Sequence, residues 1–228
     1  MTKKYELVLD DTISFWGWKL FRIRALISFG IVEAGDLGGY IEKEENLSHH
    51  GKAWVWGNAK VWGNAKVSDN AKVWGIAEVS GNAEVWGNAK VWGIAEVSGN
   101  AKVWGNAEVS GNAEVSGNAE VSGNAEVWGD AKVSGNAEVS GNAEVSGNAE
   151  VSDNAEVSEL GDIIVFKNHW SSGRHFTYTK SNKMWKVGCF YGTGQELIEK
   201  AYRDSEKSGN YYKAYVDFVE TLERLSEE

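Results

Sequence analysis

The residues of this chain that could act as a catalytic base or bind a transition metal are few and lie near its two ends. Four histidines are present: His49, His50, His169 and His175. His49 and His50 are adjacent, so in a strand their rings would point to opposite sides. A three-histidine zinc site needs three well-spaced imidazoles. We therefore expect surface histidines, no bound metal and no catalytic residue.

A second candidate for chemistry is the glycine-rich turn Gly192-Thr193-Gly194 before a predicted helix. Free N–H groups at a helix start attract phosphate. The segment lacks the lysine and the further glycines of a nucleotide-binding loop, and Thr193 and Glu196 have the spacing of a capping box. The pattern favours an ordinary strand-to-helix turn, and we expect no cofactor.

The composition is typical of a cytoplasmic protein. No apolar stretch reaches the roughly 18 residues of a membrane span, and the start MTKKYELVLDDT is broken by charges, unlike a secretion signal. The single cysteine, Cys189, cannot form an internal disulfide, which indicates a reducing compartment. Beside Phe190, we expect Cys189 to be a small buried hydrophobe.

The elements that must position any site are built from a repeat. Residues 51–158 are eighteen copies of the phrase Gly-Asn-Ala-(Glu/Lys)-Val-(Ser/Trp), without an insertion or deletion. Such a period is typical of a solenoid. Ala in third place and Val in fifth share one side of a strand, and the opposite register would bury seventeen Lys and Glu side chains at a large desolvation cost. Ala and Val therefore form the core, and Gly-Asn forms a corner.

Departures from the repeat show how many hexads make one turn. Ile76 and Ile94 replace the corner Asn eighteen residues apart, and Trp56, Trp74 and Trp92 have the same spacing. Three hexads therefore make one turn of a triangular parallel β-helix with six regular coils, an all-β solenoid about 29 Å long at roughly 4.8 Å per coil. Its sides are called face one, face two and face three, for the hexads beginning at Gly51, Gly57 and Gly63.

The repeat resembles the hexapeptide repeat of left-handed parallel β-helix proteins, and the resemblance implies a left-handed coil, against the usual rule for strand crossovers. The flanking segments also resemble parts of hexapeptide-repeat proteins encoded by bacteriophages and prophages. They are RIRALISFG and AGDLGGYIEKEENLS before the hexads, and VGCFYGTGQELIEKAY and YYKAYVDFVETLE after them. This resemblance carries no catalytic signature.

Both ends of the solenoid are predicted to be capped. Residues 1–50 carry two strand-like runs, 5–9 and 19–26, and then an irregular first coil with Leu37, Ile41 and Leu47 near inward positions. Such a cap would cover the open end of the sheet stack, which otherwise templates aggregation.

Residues 159–228 predict an α+β cap module with a small sheet and two helices. We expect strands at 163–167, 176–180 and 184–188, a helix opened by Thr193 and a second helix after Gly209. The second helix carries one apolar stripe, which consists of Tyr212, Tyr215, Phe218, Val219 and Leu222.

The family resemblance also implies an enzymatic alternative, because many hexapeptide β-helix proteins are coenzyme A-dependent acyltransferases. Those enzymes place a histidine base on a loop that leaves the helix. Residues 51–158 contain neither such a loop nor a histidine. A sponge that holds a nucleotide signal between subunits is a further alternative.

The outward sixth places carry either Trp or Ser. Stacked indoles stabilise neighbouring coils, yet serine suffices in the C-terminal half, so a contiguous indole strip indicates an interface. The family resemblance implies a homotrimer contact, and a foreign partner is the alternative. The tryptophans assigned to partner binding are Trp56, Trp74, Trp92 and Trp128 on face one, Trp62 on face two, and Trp86 and Trp104 on face three.

The charges are segregated along the solenoid. Counting Lys against Asp and Glu, residues 51–104 carry six positive and four negative charges, and residues 105–158 carry one positive and ten negative. Carboxylates one coil apart, such as Glu78, Glu96 and Glu114, repel each other. A net charge of −10 disfavours direct nucleic-acid binding. The carboxylates assigned to an acidic partner surface are Glu108, Glu114, Glu126 and Glu144.

Together these features indicate a non-enzymatic, phage-type interaction scaffold. We expect it to bind a host protein, nucleic-acid-binding or immune, through its Trp-lined faces and acidic end, and so to inhibit a bacterial defence system.

Overall fold

Each hexad forms a two-residue strand followed by a corner in the structure of the chain, a computed structural model that describes residues 3–226. Strands β1 (Tyr5–Phe15), β2 (Trp18–Ala25) and β3 (Leu37–Ile41) precede the hexads. The hexad strands β4 to β21 are Trp54–Val55, Lys60–Val61, Lys66–Val67, Lys72–Val73, Glu78–Val79, Glu84–Val85, Lys90–Val91, Glu96–Val97, Lys102–Val103, Glu108–Val109, Glu114–Val115, Glu120–Val121, Glu126–Val127, Lys132–Val133, Glu138–Val139, Glu144–Val145, Glu150–Val151 and Glu156–Val157.

Every third strand pairs in parallel, which gives one sheet for each face. Face one contains β4, β7, β10, β13, β16 and β19, and face three contains β6, β9, β12, β15, β18 and β21. Face two contains β5, β8, β11, β14, β17 and β20, and continues through β3 and β2 into β1 as a nine-stranded sheet. Val91 lies opposite both Val73 and Val109. The predicted parallel β-helix is therefore confirmed in coil length, number of faces and strand direction.

The core is the double column of small and branched side chains that the repeat predicts. All eighteen third-place alanines, from Ala53 to Ala155, and all fifth-place valines, from Val55 to Val157, are buried. The corner requires glycine for two reasons at Gly99. Its φ is +69°, and a Cβ there would lie 2.8 Å from the carbonyl oxygen of Gly117 on the next coil, so a larger residue would both strain the backbone and push the coils apart.

Asparagine side chains form continuous ladders between the coils at two of the three corners, and at the third corner Asn112 and Asn148 both donate to Asp130. The amide of Asn82 donates to the Asn100 side chain at 2.9 Å, and Asn100 donates in the same way to Asn118. The corner after face one lacks this ladder at Ile76 and Ile94, whose side chains are exposed. These two isoleucines therefore add apolar surface beside face one.

The N-terminal segment joins face two and covers part of the first coil. Strands β1 and β2 form an antiparallel hairpin, β2 pairs with β3, and β3 continues in parallel into β5. A 3₁₀ turn, Glu44–Asn46, follows, and Leu47 forms a bridge with Val67.

The predicted inward positions of this segment are confirmed at Ile41 and Leu47, which are buried, and wrong at Leu37, which is 54% exposed. Leu37 lies opposite Arg24 of the hairpin, at the start of β3 and before the strand reaches the hexad stack. Trp54 departs from the repeat in the other direction. It occupies an outward fourth place but is buried, because the ring of Phe29 packs against it at 5.4 Å.

The chain divides into two compact units at Leu160 and Gly161, where a short 3₁₀ turn, Leu160–Asp162, lies. The second unit has a four-stranded antiparallel sheet of β22 (Ile163–Lys167), β23 (His175–Thr179), β24 (Met184–Val187) and β25 (Phe190–Thr193), followed by α1 (Gly194–Asp204) and α2 (Glu206–Ser226). The first three strands match the prediction within one residue at each end. The sequence pattern did not predict β25.

Three details of the second unit correct the sequence-based expectations. The second helix begins at Glu206 instead of after Gly209, because Ser205 binds the Ser208 amide and Gly209 lies inside the helix against the ring of Tyr202. Cys189 is exposed, because it lies between β24 and β25 beside Gly188, whose φ is +56°. In the apolar stripe of α2, Tyr212 and Val219 are buried, but Phe218 is exposed.

Within residues 3–226, no helix is both long enough and apolar enough to cross a membrane.

The buried Lys4 makes the stability of the N-terminal segment depend on pH. Its side chain is 1% exposed, and its Nζ donates to the Ala53 carbonyl oxygen at 2.8 Å. Burial lowers the pKa of Lys4 to about 8. Between pH 8 and pH 10 the unfolded chain therefore holds a proton that the folded chain does not, so stability from this group rises with pH in that window.

We predict that Lys4→Met removes this rise. Urea unfolding at pH 7, 8, 9 and 10 measures the free energy of unfolding of both proteins. Above pH 8 the difference, wild type minus variant, should rise with a slope approaching about 1.4 kcal/mol per pH unit. The pKa of Tyr5 is also raised, first by burial and then by the charges of Glu44 and Glu45. Tyr5 therefore changes the pH dependence of stability only above pH 10. Parallel profiles for the two proteins would show that Lys4 titrates as an exposed lysine.

Candidate interaction surfaces

The tryptophans of the hexads fall into three structural situations. Trp74 and Trp92 stack on face one with ring centroids 4.9 Å apart and planes within 4°. Trp86 and Trp104 stack on face three at 5.0 Å and 3°. Such aromatic pairs contribute about 0.5–1.5 kcal/mol beyond the area they bury. The stacked pairs therefore stabilise neighbouring coils and also leave half-buried indole surface outside.

The other three hexad tryptophans at sixth places have no stacking partner on an adjacent coil. Trp62 lies edge-on to Phe15 of the N-terminal hairpin at 5.3 Å, so the chain itself covers part of this ring. Trp56 and Trp128 have no ring partner within the described part of the chain, and Trp128 is 42% exposed. Of the assigned tryptophans, Trp62 is thus partly used by the fold, and Trp128 presents the most open ring.

Face one carries a shallow groove of about 560 Å³. Three of its residues, Ile31, Lys72 and Lys90, were not assigned to partner binding from the sequence. Lys72 and Lys90 could have been found, because they occupy outward fourth places in the same hexads as Trp74 and Trp92. Ile31 comes from a loop before the solenoid, and the repeat contains no signal for it. The groove is lined by Ile31, Trp56, Lys72, Trp74, Lys90, Trp92 and Glu108.

Ion pairs between adjacent coils neutralise part of the charge that the sequence segregates. Lys90 pairs with Glu108 at 2.5 Å, and Lys132 pairs with Glu114 at 2.8 Å. Surface pairs of this kind contribute at most about 1 kcal/mol. Of the four assigned carboxylates, Glu108 and Glu114 are therefore paired within the chain. Glu126 and Glu144 have no ion pair in the described residues.

The column of carboxylates on face two shows the predicted repulsion. Glu96 lies opposite Glu78 on one side and Glu114 on the other. Its pKa is raised, first by burial and then by the charges of Glu78 and Glu114. Keeping Glu96 ionised therefore lowers the free energy of unfolding at pH values above its pKa in the folded protein. This destabilisation is lost as the pH falls below that pKa.

His49 and the glycine-rich turn are engaged in local structure, whereas His50 and His169 are exposed, and His175 is half-buried at the start of β23. His49 is half-buried rather than on the surface, because its ring stacks on Tyr5 at 4.4 Å. Its Nδ1 accepts a hydrogen bond from the Lys4 amide. Within residues 3–226, no three His, Cys, Asp or Glu side chains are grouped to hold a metal ion.

At the turn, the predicted capping box is confirmed. The Glu196 carboxylate accepts a hydrogen bond from the Thr193 amide at 2.8 Å, and the Thr193 hydroxyl accepts one from the Glu196 amide. The Thr193 hydroxyl also donates to the Glu196 carboxylate at 2.9 Å. The hydrogen bonds from the Thr193 amide and hydroxyl hold the pKa of Glu196 below its usual value. Because the carboxylate occupies the start of α1, this turn does not form an anion cradle.

Comparison with known proteins adds no relative. The chain matches no protein-family model, and no curated protein is significantly similar to it.

We predict that Glu96→Lys raises the free energy of unfolding at pH 7 by about 0.5–1 kcal/mol, because the new cation would lie between two carboxylates. The gain should shrink at acidic pH as Glu96 of the wild type becomes protonated. Chemical unfolding at pH 7 and pH 4.5 measures both effects.

Glu84→Lys is the matched control, since Glu84 lies between Lys66 and Lys102. The same substitution there creates a row of three lysines and should destabilise the protein. Equal effects of the two variants would contradict the electrostatic account of face two.

Proposed function

We propose that the chain is a non-enzymatic, phage-type scaffold that binds a host protein through its tryptophan-bearing faces and its acidic half. The observation that carries the proposal is the Trp86–Trp104 stack on face three. Serine occupies the equivalent places on the following coils, at Ser122 and Ser140, and these coils have the same strand pairing. The two indoles therefore exceed what the coil requires.

The chemistry of face three suits a partner with an apolar patch beside basic residues. Large, rigid indoles are frequent hot spots of protein interfaces. Beyond the stack, the same face carries Glu120, Glu138 and Glu156 in succession, and the C-terminal half of the solenoid is strongly acidic. Complementary charge of this kind mainly increases association rate and specificity. A bacterial protein that binds nucleic acid, whether or not it acts in immunity, has a basic surface of this kind, and occupying that surface would block its activity.

We predict that Trp86→Ser combined with Trp104→Ser lowers the affinity for the host protein by about tenfold or more, the scale of aromatic hot spots, while the protein stays folded. The partner is captured from a bacterial lysate on the immobilised chain and identified by mass spectrometry. Its dissociation constant is then measured with purified proteins at two salt concentrations.

Ser98→Ala combined with Ser116→Ala on face two is the matched control and should bind as the wild type does. If the tryptophan variant keeps full affinity, with circular dichroism that confirms its fold, the indoles of face three serve only the coil and the proposal fails.

A further inference from the structure

The outward charges of face one change sign at the middle of the solenoid. From the first coil to the sixth, its fourth places are Trp54, Lys72, Lys90, Glu108, Glu126 and Glu144. Consider a two-fold axis that lies in the plane of this face, along the strands, between the third and fourth coils. It would bring the first coil of one copy against the sixth coil of another. Lys72 would then meet Glu126, and Lys90 would meet Glu108.

Lys72 and Glu126 form no ion pair within the described residues of their own chain. Each instead lies beside like charges in its sheet, since Lys72 is opposite Lys90, and Glu126 is opposite both Glu108 and Glu144. Like charges directly opposite one another are destabilising. A second copy in the antiparallel arrangement would offset both repulsions.

The sizes of the sixth-place side chains are complementary under the same axis. Trp92 would face Ser110, and Trp56 would face Ser146, so a large side chain meets a small one at both places. Trp128, which is exposed and has no ring partner among residues 3–226, would meet Trp74. The groove of about 560 Å³ spans the first four coils around Trp74, and so could receive the partner's Trp128.

The other faces and the parallel arrangement are less complementary. Under the equivalent axis each of the other faces would make two opposite-charge contacts but also one like-charge contact, Glu96 with Glu114 on face two and Glu84 with Glu138 on face three. Face one would make no like-charge contact. On face three Trp86 would likewise face Ser140, and Trp104 would face Ser122, so the charges and not the side-chain sizes distinguish face one. A parallel pair across face one would set lysine coils against lysine coils.

The area of face one fits a weak, reversible contact. Phe29 covers Trp54 on the first coil, so the second to fifth coils of the two copies face each other directly. With about 3.3 Å per residue along the strands and about 4.8 Å between coils, a face roughly five residues wide and four coils long covers on the order of 320 Å² per copy before side-chain relief is added. An area of this order is typical of weak and transient complexes.

We propose that face one binds a second copy of this chain in an antiparallel, two-fold symmetric dimer. This differs from the homotrimer that the family resemblance implies. It rests on the proposed function only in treating a tryptophan face as an interface. It assigns the tryptophans of face one, with Glu108 and Glu126, to the dimer, and it leaves the tryptophans and carboxylates of face three for the host protein.

The test is a charge exchange read out as molecular mass in solution. The wild-type chain of 25.0 kDa should sediment as a dimer without any host protein. Lys72→Glu and Glu126→Lys should each raise the dissociation constant of the dimer about a hundredfold, because each sets like charges opposite at two symmetric contacts. Combined in one chain, the two substitutions restore opposite charges and should restore the dimer.

Misfolding does not explain such a loss, because each single substitution relieves like-charge contacts within its own sheet. Glu138→Lys, in the same coil as Glu126 but on face three, is the control and should leave the dimer intact. A wild-type mass of one or three chains, single variants that stay dimeric, or a combined variant that stays monomeric would each overturn the proposal. None of these outcomes depends on capture of a host protein, so the two proposals fail separately.

Discussion

The structure depends on the hydrogen-bond ladder that joins each coil to the next, eighteen residues along the chain. The amide of Lys102 donates to the Ala119 carbonyl oxygen at 2.9 Å, and that of Trp104 donates to Val121 at 3.0 Å. The same two bonds recur from hexad to hexad. They hold the strands in register, so that valine stacks on valine inside and every outward place forms a straight column. Each face consequently presents columns of outward side chains that are about 4.8 Å apart.

This regularity explains what the sequence could predict. Core residues, coil length and strand direction follow from one repeated phrase, and the capping box at Thr193 follows from local spacing. The errors fall where long-range contacts decide the outcome. Trp54 occupies an outward place but is buried, because Phe29, from a segment outside the repeat, covers it. Leu37 belongs to a strand that first pairs with the hairpin. Cys189 lies in the turn between β24 and β25, and the sequence pattern did not predict β25.

The candidate surfaces were predictable to a similar extent. The repeat places every assigned tryptophan and carboxylate in a column, and the repulsion around Glu96 follows from the order of residues alone. The repeat does not reveal that Phe15 packs against Trp62, that Ile31 borders the groove of face one, or that lysines pair with Glu108 and Glu114. Those facts depend on how loops fold back and on which rotamers long side chains adopt.

The alanine and valine columns and the backbone ladder build the coil, and we propose that the outward tryptophans serve binding, so that folding and recognition are separated in this solenoid. The most direct test replaces Trp56, Trp74, Trp86, Trp92, Trp104 and Trp128 together with serine and follows thermal unfolding by circular dichroism. The account predicts an unchanged β-sheet spectrum and one cooperative transition. The loss of stability should comprise about 1–3 kcal/mol from the two stacked pairs and the contribution of the apolar area that the indoles bury on their own coils. A chain that is unfolded at 25 °C would show that the indoles are part of the fold and would contradict the account.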